Sequence, residues 1–213
     1  MGSVVQTSQT SPSRSVIDEA VAVLAFGGVV VMPTDSVYGI GCAATPANPA
    51  HERIFSIKHR DRAQTLPWLV ADASDLARYA EDVPDYAVAL AVRWWPGALT
   101  LVVRASQAVP PEYRAADGTI ALRCPDSTLV RTLARSIGAP LATTSANIHG
   151  EAAATSGAAV EPAIVAAADL TLDAGPAPVG VASTIVSCLG KEPQVLREGA
   201  ITAAEIYLVA HGV

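Results

Sequence analysis

The sequence predicts an α/β fold built on a sheet that mixes parallel and antiparallel strands. Apolar runs of strand length alternate with segments of helical periodicity along the 213 residues. Late in the chain, several strands lie too close together for helical crossovers, which indicates hairpins and therefore antiparallel pairing. Because 51% of the residues are hydrophobic, a chain of this length can bury a large core.

The helices are predicted from capping residues and apolar periodicity. Ser15 precedes a run whose apolar side chains share one face, and Gly27 ends that run. Pro49 occupies a favoured first helical position, and Thr202 with Glu205 forms a capping box before the last helix. The predicted helices start at or near residues 15, 49, 74, 84, 127, 158 and 202.

The strands are predicted from short runs of apolar and β-branched residues. They cover residues 29–32, 66–70, 99–103, 119–123, 140–142, 170–172, 184–187 and 194–196. Residues 33–41 are expected to form a loop. Residues 1–14 are rich in Ser and Thr and lack the apolar core of a signal peptide, so we expect a disordered tail followed by one domain over residues 15–213.

Composition and charge exclude several classes of protein. No apolar run approaches the roughly 20 residues that a membrane span requires. The three cysteines are widely spaced, which favours reduced thiols in the cytoplasm over a zinc ribbon or a disulfide framework. The net charge of −6 argues against a broad nucleic-acid surface, since phosphate contacts require clustered cations. The four histidines show no metal-ligand spacing, so no metal site is predicted.

Polar side chains follow two of the predicted strands. Residues 33–39 read Pro-Thr-Asp-Ser-Val-Tyr-Gly, and residues 143–147 read Thr-Thr-Ser-Ala-Asn. Ligands collect at strand ends in α/β folds, because backbone amides and short polar side chains converge there. The basic tripeptide at 58–60 lies between the two segments, and together they indicate an anion-binding cleft. On its own, such a tripeptide is typical of a solvated turn.

Two arginines follow apolar strand residues. Arg123 follows residues 120–122, and Arg197 follows residues 195–196. An arginine buried at a strand end needs either an acidic partner or an anionic ligand, and the residues alone leave both alternatives open. The chain has no glycine-rich P-loop, and Ser145 lacks the G-x-S-x-G turn of serine hydrolases.

Taken in order, seven segments resemble the YrdC/Sua5 family, the threonylcarbamoyl-AMP synthases of tRNA modification. They cover the chain from about residue 15 to residue 206 and are similar to the short, single-domain form of the family. The segments are 33–39 (PTDSVYG), 57–60 (IKHR), 95–100 (WPGALT), 121–125 (ALRCP), 144–147 (TSAN), 183–186 (STIV) and 196–199 (LREG).

The resemblance implies a nucleotidyltransferase that joins L-threonine, bicarbonate and ATP into threonylcarbamoyl-AMP and releases pyrophosphate. A threonylcarbamoyl transferase complex would then modify adenosine 37 of tRNAs, and weak RNA or tRNA binding is also implied. The family fold is a twisted α/β sheet around a deep, positively lined cavity, which agrees with the arginines at the strand ends. Mg²⁺ is expected to arrive with ATP, since no dedicated carboxylate cage is evident.

The resemblance also implies roles for individual residues. The catalytic tetrad around the nucleotide consists of Lys58, Arg60, Ser145 and Asn147. The other implied ATP contacts are Ser56, Thr119 and Arg197. The implied threonine-binding residues are Thr34, Gln64, Arg123, Thr143 and Ser183. Within this set, Arg123 is expected to bind the threonine carboxylate.

The sequence departs from the family pattern at several positions, none of which removes a phosphate-binding cation. Asp61 replaces a proline and is expected to weaken ATP binding. Gln64 replaces a His or Asn and is expected to alter the contact with threonine. The other departures are Ala98, His149 and Ala182.

Two other classes of function are compatible with the same fold. One is a non-catalytic RNA-binding module, which the acidic net charge disfavours. The other is a domain that handles a carbamoyl adenylate, as in hydrogenase maturation proteins. Those proteins add zinc-finger segments, and this chain has no Cys-x-x-Cys. Consumption of carbamoyl phosphate would favour the second class, and tight RNA binding without adenylate formation would favour the first.

Overall fold

The computed structural model describes residues 2–148 and 150–212, so the departure at His149 lies outside the described residues. The helices are α1 (Arg14–Ala25), α2 (Pro49–Lys58), α3 (Asp75–Tyr79), α4 (Asp85–Trp94), α5 (Thr128–Ile137), α6 (Pro162–Ala167) and α7 (Ala203–Ala210). The strands are β1 (Ser3–Gln6), β2 (Val30–Met32), β3 (Gly39–Ala43), β4 (Trp68–Leu69), β5 (Ala80–Glu81), β6 (Leu99–Ala105), β7 (Thr119–Arg123), β8 (Leu141–Ser145), β9 (Leu170–Asp173), β10 (Thr184–Ser187) and β11 (Gln194–Arg197).

These strands form one mixed sheet, which confirms the predicted fold class. Their spatial order is β1-β9-β2-β3-β8-β4-β7-β6-β10-β11, and β5 pairs with β6. The pairs β1/β9, β9/β2, β4/β7 and β6/β10 are parallel. The other pairs are antiparallel, including the late hairpin of β10 and β11.

Helices cover both faces of the sheet, and each face buries its own apolar cluster. On one face, α1 and α5 pack over Met32 and Leu141 through side chains such as Leu24 and Leu133. On the other face, α2, α4 and α7 contribute to a larger cluster around Trp68. At roughly 25 cal/mol per Å² of buried apolar area, these two clusters supply the main favourable term in folding.

Short-range signals located most helix ends. Ser127 caps α5 with its side chain, and Gly138 ends that helix in the left-handed conformation, with φ of 72°. The predicted capping box at Thr202 is present before α7. At α1 the capping residue is Ser13 and not Ser15, because the Ser13 side chain accepts the hydrogen bond from the first turn.

The predicted disordered tail is wrong for residues 3–6. These residues form β1, which pairs in parallel with β9 at one edge of the sheet. Beyond β1, the amide of Thr7 donates to the carbonyl of Asp173 at 2.8 Å, and the carbonyl of Gln9 accepts from the amide of Leu129 at 2.9 Å. Backbone hydrogen bonds attach the segment, so its polar composition does not reveal its position.

Two of the expected loop segments lie inside strands. Residues 39–41, expected in a loop, begin β3, and β8 continues past residue 142 as far as Ser145. The two strands are antiparallel, with Gly39 opposite Ser145 and Gly41 opposite Thr143. Thr143 and Ser145 therefore project from a strand and not from the loop after it. The glycines of β3 provide no side-chain pattern, which explains why β3 was not predicted.

The glycines of β3 leave the space that the Thr143 side chain occupies. A Cβ atom at Gly41 would lie 2.5 Å from Thr143 Oγ1 and 2.8 Å from the carbonyl oxygen of Ala142. We expect Gly41→Ala to lower the free energy of unfolding by about 1–3 kcal/mol in chemical denaturation, because the added methyl displaces packed atoms. Gly190→Ala is the control, since its nearest neighbour would lie at 3.5 Å. Equal stability of the two variants would contradict the close packing.

Candidate functional site

A cavity of about 280 Å³ opens on one face of the sheet, close to the lower limit of about 300 Å³ for small-ligand sites. Its charged lining comprises the basic Arg60, Arg123 and Arg197 and the acidic Glu151. Its hydroxyl and amide lining comprises Thr34, Ser36, Tyr38, Thr100, Thr143, Thr144, Ser145, Asn147 and Ser183. Such a lining offers mainly hydrogen-bond donors, which suits an anionic ligand.

Strand register brings several of these side chains into one row. Arg197 lies opposite Ile185 on β10, and Ile185 lies opposite Thr100 on β6. The register of β6 and β7 places Thr100 opposite Arg123, and Arg123 lies opposite Leu69 on β4. Residues directly opposite each other share a face of the sheet, so the two arginines project to the same side.

A β-bulge in β11 directs Arg197 to this face. Val195 pairs with Val186 and Arg197 pairs with Ile185, so Leu196 is an extra residue on β11. Without that extra residue Arg197 would point to the opposite face, because side chains alternate along a strand.

Lys58 is a buried cation at the end of α2. His59 ends the helix with φ of 50°, and this left-handed turn lets residues on either side of it reach the end of β8. The Lys58 ammonium donates to the carbonyl of Ser145, and Nζ lies 3.5 Å from Ser145 Oγ and 3.4 Å from Asn147 Oδ1. Burial, with a smaller effect of the nearby Arg60, lowers the pKa of Lys58 to about 8. Within the described residues, no carboxylate forms a salt bridge with Lys58.

Arg60 lies at the cavity wall beside Lys58. Its Nε donates to the carbonyl of Gln64 at 2.9 Å, and its Nη1 lies 3.4 Å from Thr144 Oγ1. Burial lowers the pKa of the guanidinium. Asn147 is fixed in turn, since its Nδ2 donates to the carbonyl of Glu151 at 2.8 Å and its Oδ1 faces Lys58. The two cations therefore contact one short segment, Arg60 at Thr144 and Lys58 at Ser145 and Asn147.

Arg123 has an acidic partner, which settles one alternative that the sequence left open. Its Nη2 donates to Asp35 Oδ1 at 2.6 Å, its Nη1 donates to Ser36 Oγ at 2.7 Å, and its Nε donates to the carbonyl of Gly97 at 2.9 Å. The side chains of Arg123 and Asp35 are each 7% exposed. Three of the five guanidinium N–H groups are used in this way, and two are left for a ligand.

Arg197 uses backbone and hydroxyl partners. Its Nη2 donates to the carbonyl of Ser183 at 2.7 Å and lies 3.3 Å from Ser183 Oγ. Ser183 Oγ also lies 2.9 Å from Thr100 Oγ1. Burial lowers the pKa of Arg197. This second strand-end arginine has no salt bridge within the described residues, unlike Arg123.

Four of the residues to which the resemblance gives roles do not line the cavity. One is Lys58, which is buried and contacts the lining residues Ser145 and Asn147. Ser56 is exposed on α2, and its hydroxyl donates to a carbonyl of its own helix at 3.3 Å. Thr119 begins β7, at the opposite end of the strand from Arg123, and donates to an aspartate at 2.7 Å. The Gln64 residue is exposed, and only its backbone carbonyl contacts Arg60.

Sequence reasoning gave no role to several cavity or cavity-supporting residues, among them Thr144, whose hydroxyl contacts Arg60. Asp35 and Ser36 belong to a segment that the sequence did single out, but their contact with Arg123 joins residues 88 and 87 positions apart. Thr100 and Glu151 also line the cavity. The pairing register of β6 places Thr100 in the cavity, and the sequence does not reveal that register.

The model of the Sua5/YciO/YrdC family, whose description reads "Telomere recombination", matches residues 22–199. The chain belongs to this family. Among relatives in it, the threonylcarbamoyl-AMP synthase of Bacillus subtilis (strain 168) is 35% identical over 204 residues, which are 95% of this chain and 59% of that protein. The resemblance read from the seven sequence segments is therefore confirmed.

Solved structures of Sua5/YciO/YrdC family members share the fold. The crystal structure of P. abyssi Sua5 complexed with L-threonine superposes with a TM-score of 0.90 and 31% identity, covering 97% of this chain and 60% of that one. E. coli YciO superposes with a TM-score of 0.84 and 26% identity, covering 98% of this chain and 100% of that one. The chain thus spans about three fifths of the B. subtilis and P. abyssi proteins and the whole of YciO.

Two further properties of this family member concern membranes and metals. Among the helices that the structure describes, none is both long enough and apolar enough to cross a bilayer. In the same residues, no group of three or more His, Cys, Asp and Glu side chains is arranged to bind a metal ion. The three cysteines are buried and free.

Proposed function

We propose that the chain is an L-threonylcarbamoyladenylate synthase, a nucleotidyltransferase that forms threonylcarbamoyl-AMP and pyrophosphate from L-threonine, bicarbonate and ATP. The observation that carries the proposal is that the Lys58 ammonium contacts Ser145 and Asn147, two residues of the cavity lining, and that Arg60 lines the cavity beside them. A buried ammonium with no salt bridge among the described residues is stabilised by an anion, and a triphosphate supplies one.

In this proposal the two substrates occupy adjacent parts of the cavity, and Arg197, which contacts Ser183, lies between them. The triphosphate contacts Lys58 and Arg60, and Arg197 approaches the nucleotide from β11. Threonine lies near Thr143 and Ser183, with its carboxylate on the two remaining N–H groups of Arg123. Four residues with expected roles, Ser56, Lys58, Gln64 and Thr119, do not line the cavity, so these contacts would require a rearrangement on binding.

The proposed chemistry proceeds without a covalent enzyme intermediate. The threonine amine adds to CO₂ and loses a proton, or condenses with bicarbonate and releases water, to give a carbamate. A carbamate oxygen then attacks the α-phosphorus of ATP. The bond from that phosphorus to the bridging oxygen breaks, and pyrophosphate leaves. Negative charge develops on phosphate oxygens, so fixed cations and N–H donors supply the catalysis.

Mg²⁺ is proposed to arrive with ATP, because it binds mainly through substrate phosphates and few carboxylates. Glu151 is the carboxylate in the cavity lining and would face such an ion. The product would pass to a threonylcarbamoyl transferase complex for tRNA modification in the cytoplasm. The sheet that joins β1 to the rest of the chain supports one domain that includes the N-terminal strand.

The test is release of pyrophosphate by the purified chain with ATP and Mg²⁺. We expect release only when threonine and bicarbonate are both present. Release with carbamoyl phosphate in place of threonine and bicarbonate would favour the hydrogenase-maturation type of chemistry. Tight, salt-dependent RNA binding without pyrophosphate release would favour the RNA-binding module.

The depressed pKa of Lys58 predicts an alkaline limit to the rate. With a pKa of about 8, Lys58 loses its proton within the working range and then no longer neutralises phosphate charge. We expect kcat/KM for ATP to fall as the pH rises through about 8, and kcat to fall at a higher pH because bound phosphate favours the ammonium. Initial rates at low and saturating ATP check this. A kcat/KM profile that stays flat up to about pH 10 would contradict it.

A further inference from the structure

The loop between β2 and β3 supplies two of the three acceptors around the guanidinium of Arg123. Asp35 and Ser36 accept from its two terminal nitrogens at 2.6 and 2.7 Å, while the carbonyl of Gly97 accepts from Nε at 2.9 Å. All three acceptors lie near the guanidinium plane when they engage three different N–H groups. The plane is therefore fixed from three directions, and rotation of the guanidinium would break at least one of these bonds.

The hydrogen bonds behind Ser36 have only one consistent direction. Arg123 can only donate, so Ser36 Oγ accepts from it. Thr34 Oγ1 donates its proton to the carbonyl of Val37 at 2.7 Å. Ser36 must then donate to Thr34 Oγ1 across their 3.0 Å contact. The hydroxyl proton of Thr34 is thus already used, although the resemblance implies that Thr34 binds threonine directly.

Asp35 is held in place as firmly as the arginine. Its Oδ1 also accepts from the amide of Asp126 at 3.1 Å, and its carbonyl accepts from the amide of Val179 at 2.8 Å. Ser36 is 1% exposed and Thr34 is 4% exposed. All of these side chains are buried, and Arg123, Ser36 and Thr34 border the cavity, whereas Asp35 does not.

We infer that Asp35, Ser36 and Thr34 form an orienting cradle that aims the two remaining N–H groups of Arg123 at the substrate carboxylate. The inference rests on the proposed function. Asp35 and Ser36 are positioning residues, since they act through Arg123, and Thr34 acts through Ser36. The ion pair with Asp35 also neutralises the charge of Arg123. The cradle therefore selects its ligand by the direction of its N–H groups, and the net positive charge of the cavity lies near the phosphates.

The test compares variants that remove or keep the acceptors. Ser36→Ala keeps the ion pair, and we expect it to raise the KM for threonine by about 10-fold. Asp35→Ala removes the ion pair and should raise that KM by about 100-fold. Misplacement of a binding group by about 1 Å has effects of that size. Asp35→Asn retains an acceptor oxygen and should stay within about threefold of the unmodified chain. In all three variants the KM for ATP should stay within about twofold.

A matched control lies outside the cavity. Asp169 accepts from Arg53 at 2.6 Å and from the amide of Val29 at 2.7 Å, the same pairing of one arginine and one amide that Asp35 makes. Asp169→Ala should leave the KM for threonine unchanged. In an Arg123→Lys background, Ser36→Ala should change that KM by less than about twofold, because coupled residues are not additive.

Three outcomes would overturn the cradle: an unchanged threonine KM in Ser36→Ala, equal rises in the KM for threonine and for ATP, or an Asp35→Asn variant as impaired as Asp35→Ala. A failed cradle is distinct from a failed function, because the unmodified chain must first release pyrophosphate with threonine present. If Asp35→Ala does not fold, as thermal denaturation would show, Ser36→Ala alone decides the question.

Discussion

Replacement of Lys58 by methionine is expected to abolish adenylate formation and to leave the fold at least as stable as before. Lys58 is 2% exposed, and its ammonium faces the carbonyl of Ser145 and the side chain of Asn147. Loss of one fixed donor to developing phosphate charge typically lowers kcat by about 10²–10³-fold. Lys58 is also proposed to bind the ground-state triphosphate, so we expect kcat/KM for ATP to fall by about 10³-fold or more.

The stability part of the prediction follows from the pKa of Lys58. A folded-state pKa of about 8, below the ordinary 10.5, means that the folded chain disfavours the ammonium. The resulting penalty is complete below about pH 8 and shrinks as the pH rises towards 10.5. The shift corresponds to about 3 kcal/mol, and the acceptors left unpaired in Lys58→Met offset part of it. We therefore expect the free energy of unfolding at pH 7 to rise by about 1–2 kcal/mol.

Urea denaturation and pyrophosphate release measure the two halves of this prediction. Lys191→Met is the matched control, because Lys191 is the other lysine of the chain and is exposed. It should change neither quantity. A Lys58→Met variant that keeps its activity, or one that loses more than about 1 kcal/mol of stability, would show that Lys58 is a structural residue.

Replacement of Arg123 by methionine is expected to have the opposite effect on stability while also abolishing the reaction. The variant leaves the carboxylate of Asp35 buried with only the amide of Asp126 as a hydrogen-bond partner among those observed. Removal of one partner from a buried ion pair costs about 3–5 kcal/mol, and we expect a loss of that order at pH 7. The variant also removes the group proposed to bind the threonine carboxylate, so threonine-dependent pyrophosphate release should disappear.

A second variant separates the two effects of Arg123→Met. Adding Asp35→Asn removes the uncompensated charge, so the double variant should recover at least half of the lost stability without recovering activity. Chemical denaturation and the pyrophosphate assay provide both readouts. If the double variant is as unstable as Arg123→Met alone, the buried charge of Asp35 is not the cause of the loss.

The sequence predicted the parts of this molecule that depend on neighbouring residues. Ser127 and Gly138 mark the ends of α5, and β7 and β10 have their predicted bounds, because caps and apolar runs act over a few residues. The edge strand β1 was not predicted, since its attachment is through backbone hydrogen bonds to residues more than 160 positions away.

The candidate site was predicted only in part. Short motifs identified some of its residues, but not the contacts that depend on strand register and loop packing. The resemblance brought together Lys58 and Arg60 with Ser145 and Asn147, although 87 residues separate Lys58 from Ser145. It could not show that Arg123 already has a carboxylate partner, nor that the bulge at Leu196 decides which face Arg197 occupies. These features depend on strand register and loop packing, which short motifs do not encode.

The central claim is that one cavity joins threonine, bicarbonate and ATP, and detection of the joined product tests it most directly. The chain would be incubated with threonine, ATP, Mg²⁺ and ¹³C-bicarbonate, and the mixture analysed by mass spectrometry. We predict a threonylcarbamoyl-AMP ion that carries the single ¹³C label and is absent when Lys58→Met replaces the unmodified chain. If the unmodified chain is folded and binds ATP but gives no labelled adenylate, the account is contradicted.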